Sequence, residues 1–370
     1  MALASLLLTL SVYMLVPVLP QWMMHEQNMS PQEAGLAVGC FGFGLYVLGL
    51  LCSWLVQRYR RNAVCLWAIA AVAVCHALLI YLDSLQTLFV EWAVMAILGV
   101  LQGAAFGLAQ MVLSSTLIID TCESFQRTEA NHSASWFSRF ALSLGPLLAS
   151  VLMGAYGFQT VIWGAVAATV AALLLIRAVS FPFRSPEERP HVLSADRFFL
   201  TDGIPLFLNL LIVGGVVGMV LSLPLSAVFY ALTMGGFLLA LLAQRFVFRN
   251  AELESEVLTG LLLLTAALLV LLVDSQSPAA PLLFGLAVGL TASRFLLFFV
   301  KVSRHCQRGT SQSTFFLAWE SGVCFGLCAG YALFWQQVAS LLYTAIAMTV
   351  AALAAYHFFT FRWFLHHKNR

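Results

Sequence analysis

Three charged residues lie inside long apolar stretches of this sequence. Glu320 lies in the middle of Arg308–Tyr331, and Arg139 and Arg294 lie within two other apolar runs. Hydrocarbon cannot solvate a charge, so charged residues at that depth usually face a partner or a water-filled cavity. A carboxylate there can exchange a proton, and a guanidinium can hold an anion. We therefore expect Glu320, Arg139 and Arg294 to line a cavity, with Glu320 as the proton carrier.

Each of these residues also has a purely structural interpretation. Glu320 and Arg139 can each pair with a nearby helix end or polar residue and only hold helices together. Arg294 lies about two turns from the end of its apolar run, where a long side chain can reach the membrane interface. The sequence alone leaves both interpretations open.

The composition indicates that the solvent of this chain is a lipid bilayer. Hydrophobic residues make up 61% of the 370 residues, charged residues only 9%, and the mean hydropathy is +0.93. A soluble domain has about a quarter charged residues, which this chain lacks. The eight cysteines are scattered and form no CxxC pair, so we predict packing roles for them and no metal site.

Apolar runs long enough to cross a membrane number twelve. A helix of about 20 apolar residues spans a hydrocarbon core of about 30 Å. The first run lacks a basic start and a small-residue cleavage site, so we interpret it as a membrane helix, with a start that is either trimmed or oriented by later loops. The twelve lie near 2–20, 34–56, 63–82, 90–118, 133–154, 159–178, 200–222, 225–247, 257–273, 280–300, 312–334 and 337–360.

The basic residues alternate between loops. Sixteen of the eighteen Lys and Arg residues follow even-numbered spans, and the other two are Arg139 and Arg294. Positive residues stay on the cytoplasmic side of a membrane. The alternation therefore supports twelve spans and predicts that both termini are cytoplasmic.

The segment 179–199 is the only long polar break and divides the chain into two similar parts. It contains prolines and mixed charges, so we predict a cytoplasmic linker between six-helix bundles at 1–178 and 200–370.

A GxxxxxxxQR[YF] pattern ends the second span at Gln57 and the eighth at Gln244. Arg139 and Glu320 also occupy equal positions in spans five and eleven. These matches indicate a parallel internal repeat.

Twelve helices in two parallel halves, with a central linker and short loops, resemble the major facilitator superfamily. The loop that ends the second span is similar to the family signature Gly-x-Leu-x-Asp-Arg-x-Gly-Arg. Arg58 and Arg61 match, while Gln57 replaces the aspartate through which that loop braces one transport state. The resemblance implies a neutral, weaker latch here. By position, we predict gate or loop roles for Gln57, Arg58, Arg61, Asp120, Arg127, Gln244, Arg245 and Arg308.

The stretch around Gly145 and Pro146 is similar to the antiporter motif of the same family. Gly-Pro frees backbone groups and bends a helix, and the small residues that follow let a neighbour pack closely. The alternative is an ordinary packing kink. The region Arg308–Gly322 also resembles prokaryotic drug and sugar efflux permeases. The resemblance favours export, with uptake as the alternative.

Several neutral residues are candidates for a substrate cavity. Aromatic residues lie within about a turn of Arg139 or Glu320, and amides lie inside other spans, so together they predict a mixed pocket for an amphipathic solute. Core packing is the alternative for each. The resemblance places His76 and His357 on peripheral helices, so we expect a packed or lipid-edge role for them. The candidates are Trp136, Phe140, Phe315, Trp319, Gln102, Gln110, Asn209 and Gln312.

No Walker loop, GxSxG, HExxH or Rossmann pattern occurs, so we predict neither an enzyme nor a cofactor. The basic residues flank spans, which the membrane explains without nucleic acid. We predict a monomeric transporter of a bacterial inner membrane that exports a small molecule in exchange for protons by alternating access. A proton-coupled importer and a non-transporting sensor or scaffold are the alternatives.

Overall fold

The computed structural model describes residues 1–85, 90–117, 127–179, 191–248 and 251–368, and within them only helices and connecting turns. The side chains of 116, 127–135, 137–138 and 305 lie outside this description. In the described part of the chain, eleven helices are long and apolar enough to cross a membrane, and Ala2–Tyr13 is a shorter apolar helix. This all-helical architecture confirms the predicted fold class.

Twelve principal helices follow the predicted spans closely. The fourth ends in a short π turn, a 3-10 turn precedes the seventh and the eleventh, and the second and twelfth continue through such a turn. They are α1 (Ala2–Tyr13), α2 (Pro31–Arg58), α3 (Arg61–Ser84), α4 (Trp92–Val112), α5 (Arg127–Tyr156), α6 (Phe158–Arg177), α7 (Ile204–Leu221), α8 (Ala227–Phe246), α9 (Leu253–Val273), α10 (Ala279–Val302), α11 (Arg308–Phe334) and α12 (Val338–His367).

The first helix is shorter than the predicted span 2–20. It ends at Tyr13, four residues before Pro17. Proline has no N–H to bond the carbonyl four residues earlier, and its ring clashes with that carbonyl, so the helix cannot continue. The chain turns and forms a short helix, Leu19–His25, instead. Tyr13 therefore lies at a helix end in the protein interior.

Helix contacts repeat with a shift of six helices. In the N-terminal set, α1–α6, the helix α1 packs on α5, α2 on α4 and α3 on α6. In the C-terminal set, α7–α12, the corresponding pairs α7–α11, α8–α10 and α9–α12 form. The two sets meet where α2 packs on α11 and α5 packs on α8. A shift of six helices turns the α2–α11 contact into the α8–α5 contact, so the contacts between the two sets also follow the parallel repeat.

Glycines permit the closest of these crossings. A Cβ atom on Gly103 of α4 would lie 2.1 Å from the Phe41 carbonyl oxygen of α2. One on Gly285 of α10 would lie 2.1 Å from the Thr233 carbonyl oxygen of α8. Only a residue without a side chain fits such contacts. The two crossings are equivalent, which supports the repeat.

The described part of the linker packs against both helix sets at one end of the bundle. Ser194 donates a backbone hydrogen bond to the Leu50 carbonyl of α2 at 3.1 Å. Leu200 donates its backbone N–H to the Thr314 hydroxyl of α11 at 2.7 Å. We call this end, where α2 finishes and α11 starts, the linker end.

Candidate functional site

Glu320 lies in the middle of α11 and is buried, with 6% of its surface exposed. Its carboxylate accepts a hydrogen bond from the Tyr13 hydroxyl at 3.1 Å. The ion pairs of the described residues do not include Glu320. Because Tyr13 belongs to the N-terminal set and Glu320 to the C-terminal set, this hydrogen bond joins the two sets inside the protein.

Gly145 of α5 places Tyr13 at this contact. A Cβ atom on Gly145 would lie 2.8 Å from the Tyr13 Cβ and 2.9 Å from its carbonyl carbon, so only glycine lets α1 approach α5 this closely. The helix continues through Pro146, whose carbonyl accepts the Ser150 hydroxyl at 2.8 Å. The predicted close approach at Gly145 therefore supports the Tyr13–Glu320 bond, while a kink role for Pro146 stays a prediction.

A cavity of about 70 Å³ adjoins the Glu320 carboxylate. Side chains of α1, α2, α4 and α11 form most of its wall, together with the turn after α1, the short helix Leu19–His25 and one residue of α3. Tyr13, Gln102 and Glu320 supply polar oxygen and nitrogen atoms, and the remaining lining is mostly aliphatic. Next to it, the Tyr46 and Ser321 hydroxyls share a hydrogen bond of 2.9 Å between α2 and α11.

Arg139 is buried, and it contacts a part of α11 that lies nearer the linker end than Glu320 does. Its guanidinium carbon lies 5.3 Å from the ring centroids of both Trp136 and Phe315, a favourable arrangement for a cation. Phe315 precedes Glu320 by five residues, which is about 7.5 Å along the helix. The described cavity lining includes Glu320 and not Arg139. The ion pairs of the described residues include none between Glu320 and Arg139, and the expectation that both line one cavity stays a prediction.

Residues 1–327 match the family model of the Major Facilitator Superfamily. The chain is a member of this superfamily. Its predicted family is therefore confirmed, and the protein is a multi-pass membrane transporter rather than an enzyme. No curated protein sequence gives a match.

Solved transporter structures resemble the whole chain. The inward-open xylose transporter XylE of E. coli superposes with a TM-score of 0.70 at 14% identity, covering 97% of this chain and 94% of the other. A human organic anion transporter gives 0.68 at 16% identity, with 96% and 97% covered. The nucleoside transporter NupG gives 0.66 at 11% identity, with 96% and 98% covered. At these identities the likeness shows the fold alone.

Arg294 of this transporter lies in a separate polar cluster. It forms an ion pair with Glu256, which is 1% exposed. The Gln244 amide donates to both Glu256 and Ser293, so the cluster joins α8, α9 and α10. Breaking a buried pair leaves an uncompensated charge, which costs about 3–5 kcal/mol. The structure thus gives Arg294 a role in holding helices, and its predicted part in the central cavity has no support here.

The predicted polar cavity residues divide between the cavity and helix contacts. Gln102 lines the cavity and bonds the His76 ring at 3.0 Å. Gln110 donates to the Thr9 hydroxyl of α1 at 2.7 Å, and Asn209 donates to the Ala352 carbonyl of α12 at 3.0 Å. Since these two amides satisfy neighbouring helices, only Gln102 is placed to contact a solute in this conformation.

The aromatic candidates and Gln312 surround Arg139 and α11. Phe140 is half-buried, with its ring centroid 6.4 Å from that of Trp136 and 6.1 Å from that of Phe237. Gln312, Phe315 and Trp319 are buried on α11. They lie outside the described lining of the cavity beside Glu320, so their contact with substrate stays a prediction.

The predicted gate residues lie mostly at helix termini. Gln244 belongs to the Glu256 cluster described above. Among the others, Arg58 and Arg245 are exposed, whereas Gln57, Arg61 and Arg308 are half-buried. Arg127 begins α5, but its side chain lies outside the described part, as does the whole of Asp120.

Sequence reasoning missed Tyr13 and Glu256 and underestimated His76. The signal for Tyr13 was a hydroxyl four residues before Pro17, where a helix end could be foreseen. Glu256 stood one residue before the ninth predicted span and was not singled out. His76 was expected to be packed or to lie at the lipid edge; it is packed, fully buried, and also hydrogen-bonded on both ring nitrogens, which was not foreseen.

Proposed function

We propose that the protein exports a small organic molecule in exchange for protons, with Glu320 as the residue that carries the coupling proton. The Tyr13–Glu320 hydrogen bond is the observation that carries this proposal. It connects the two helix sets, so a rocking motion that separates them must break it and change what the carboxylate faces. A carboxylate whose surroundings alternate can load a proton in one state and release it in the other.

The position of Glu320 suits a central site. Twelve residues separate it from Arg308, which is about 18 Å along a helix whose length is about 40 Å. We propose that the bundles 1–178 and 200–370 rock about this depth, joined by the linker 179–199. The adjoining apolar cavity favours a compact organic solute rather than a bare ion.

We also propose a bacterial inner membrane as its location, a monomer as its working form, and cytoplasmic sides for both termini. The support is the charge pattern: α2, α6 and α8 end with Arg58, Arg177 and Arg245, and α11 begins with Arg308. Helices that alternate in direction bring these residues to the linker end. Positive residues favour the cytoplasm, so the linker end would face inward.

Export and uptake predict that the solute moves in opposite directions relative to the proton flow. One similar structure, at a TM-score of 0.67, is a D-xylose–proton symporter, which keeps uptake as the alternative. In vesicles with an imposed proton gradient, labelled sugars, nucleosides, dipeptides and amines would be compared with vesicles that lack the protein. An exporter should drive its solute opposite to proton flow. Movement in the direction of the protons would contradict export, and no driven flux of any solute would favour a sensor or scaffold.

A further inference from the structure

The charge that the described lining contributes to the cavity beside Glu320 is negative only. Nineteen described residues line it, and Glu320 is the one carboxylate among them, while Lys, Arg and His are absent from this lining. Aliphatic side chains form most of the wall, and Met23, Met95 and the aromatic Phe41 complete its apolar part. The Arg139 guanidinium faces rings outside this lining. The cavity therefore combines an acidic point with an apolar surface.

A chain of buried hydrogen bonds fixes which end of the Gln102 amide is available. The amide nitrogen can only donate, so it donates to His76 Nε2 at 3.0 Å. His76 then carries its proton on Nδ1 and donates to the Thr169 hydroxyl at 3.2 Å. That hydroxyl donates in turn to the Ala165 carbonyl at 2.8 Å. Every member has one role, which leaves the amide oxygen of Gln102 for the cavity.

The other polar groups of the lining also accept. The Tyr13 hydroxyl donates its proton to Glu320 Oε2, and its oxygen also accepts from the Trp319 side chain, which leaves it one lone pair. An ionised carboxylate is an acceptor at both oxygens. Glu320, Tyr13 and Gln102 thus offer oxygen acceptors around one apolar space. A solute that binds there must supply N–H or O–H donors and, ideally, a positive charge.

We propose that this cavity binds the ammonium end of a protonated primary amine, and that it admits the compact apolar body of the solute as the helix sets part, since its volume of about 70 Å³ in this conformation is smaller than the whole solute. This inference rests on the proposed transport function and names its substrate class. An ammonium group supplies three donors and a charge that complements Glu320. The aliphatic and sulfur-containing walls receive the apolar body, and the Tyr13 and Phe41 rings favour a cation near their faces. An organic anion would meet acceptors and a carboxylate, and a sugar would leave most of its hydroxyls against aliphatic walls.

Three solutes of similar shape and different charge test this class. Phenethylamine, phenethyl alcohol and phenylacetate would each be added to the purified full-length protein, and the change in unfolding midpoint would be measured. We expect phenethylamine alone to raise the midpoint. Equal or stronger stabilisation by the alcohol or by phenylacetate would overturn the proposal, and so would the absence of any shift.

Variants locate the binding to this cavity. Glu320→Gln should remove the stabilisation by phenethylamine, and Gln102→Leu should weaken its affinity about tenfold by deleting one acceptor of a charged donor. His76 is a positioning residue, so His76→Leu should lower the preference for the amine over the alcohol. Gln110 lies on the same helix as Gln102 but outside this lining. Gln110→Leu is therefore the matched control and should keep the preference for the amine over the alcohol. Unchanged amine binding in Glu320→Gln would overturn the assignment.

The experiments distinguish a wrong substrate class, the protonated amine, from a wrong proposed function, proton-coupled transport. If a proton gradient drives a neutral or anionic solute in a Glu320-dependent manner, proton coupling stands and the amine class is wrong. If phenethylamine binds at Glu320 but a proton gradient does not drive its protein-dependent flux, the amine class stands and the coupling is wrong.

A second inference concerns the described linker segment Ser194–Leu200. Asp196 accepts a hydrogen bond from the Thr310 hydroxyl of α11 at 3.1 Å, and the Ser53 hydroxyl of α2 lies 3.5 Å from its other oxygen. Phe198 packs on Gly49 so closely that a Cβ there would lie 2.0 Å from its ring. The segment thus contacts α2 of one helix set and α11 of the other.

We infer that Ser194–Leu200 is a clamp that holds the linker ends of α2 and α11 together. The Arg197 and Leu200 backbone N–H groups bond Thr310 and Thr314 at 2.9 and 2.7 Å, so the segment is anchored on α11 by its backbone. Asp196 and Phe198 then reach α2. Opening the transporter at this end requires these α2 contacts to part.

Spin labels on exposed Arg60 and Arg304 test the clamp. Arg60 follows α2 and Arg304 precedes α11, so their separation reports opening at the linker end. In a cysteine-replaced background that retains its fold, Asp196→Ala should increase the population at longer distances several-fold. Thr310→Val should shift it in the same direction, and Asp202→Ala, at an exposed acid beside α7, is the control. A distance distribution in Asp196→Ala equal to that of the control would overturn the clamp.

Discussion

Replacing Glu320 with glutamine is expected to reduce proton-driven solute flux to the level of protein-free vesicles. Glutamine keeps the shape of the side chain and can still accept from the Tyr13 hydroxyl, but it cannot exchange a proton. The change removes a buried ionisable group instead of leaving one unpaired, so the fold should persist. Flux under an imposed proton gradient, measured beside the unfolding midpoint, checks both parts.

Two further variants make this expectation specific. Glu254→Gln removes a carboxylate at the start of α9, which pairs with exposed His357, and should leave flux near that of the unchanged protein. Tyr13→Phe keeps the ring and removes the hydroxyl that Glu320 accepts from, so it should slow flux without abolishing it. Full proton-driven flux in Glu320→Gln would exclude this residue from coupling. Loss of flux in Glu254→Gln would show that the assay reports general damage.

Most of the fold followed from hydropathy and charge. The length of apolar runs and the restriction of Lys and Arg to alternate loops predicted twelve helices, and the short break between the predicted spans 200–222 and 225–247 does separate α7 from α8. The first helix was the main exception. Its apolar run continues past Pro17, but proline chemistry ends the helix at Tyr13, so hydropathy alone gave too long a span.

The register of the internal repeat was predicted only in part. Gly145 and Gly326 each follow by six residues the positions Arg139 and Glu320 that the repeat aligns. Both lie where the first helix of their set crosses: Gly145 against Tyr13 of α1 and Gly326 against Gly215 of α7. The match of Gly49 to Gly236 does not correspond in the same way, because Gly49 packs on linker residue Phe198 while Gly236 packs on α10. A glycine pattern indicates a close approach but does not say which neighbour makes it.

In the candidate site, too, the burial of a charged residue could be predicted from the sequence, but the residue that it contacts could not. The depth of Glu320 could be predicted, since an acid in the middle of an apolar run has nowhere else to lie. Its Tyr13 partner could not, because the two are 307 residues apart and meet only through the packing of α1 on α5. Arg294 was assigned to the cavity because it is a charge inside an apolar run, and Glu256 was not recognised as its partner. The helix α9 begins at Leu253, four residues before the predicted ninth span, so Glu256 lay outside that prediction.

A disulfide between α2 and α11 is expected to stop transport reversibly. These helices belong to different sets and pack through small residues at the end of the bundle opposite the linker. A Cβ atom on Gly39 would lie 3.4 Å from the Cβ and 3.1 Å from the sulfur of Cys328. Disulfides span about 3.5–4.5 Å between Cβ atoms, so Gly39→Cys needs only a small shift to bond native Cys328. Once bonded, the two sets cannot separate at this end.

The controls for this experiment come from the same pair. The reduced form of Gly39→Cys shows whether the added side chain alone disturbs transport, since the contact is tight. Gly39→Cys combined with Cys328→Ala carries the new thiol without its partner and should be insensitive to oxidant. The unchanged protein contains Cys328 and the other native cysteines, and it should also keep its flux under oxidation.

The alternation of the two helix sets about Glu320 is tested most directly by solute flux in oxidised and reduced Gly39→Cys, with disulfide formation verified by peptide mapping. The arrangement of α2, α11 and the Tyr13–Glu320 bond predicts that flux falls to the protein-free level when the disulfide forms and returns when it is reduced. Full flux through protein in which the disulfide is complete would contradict alternating access by separation of these two sets.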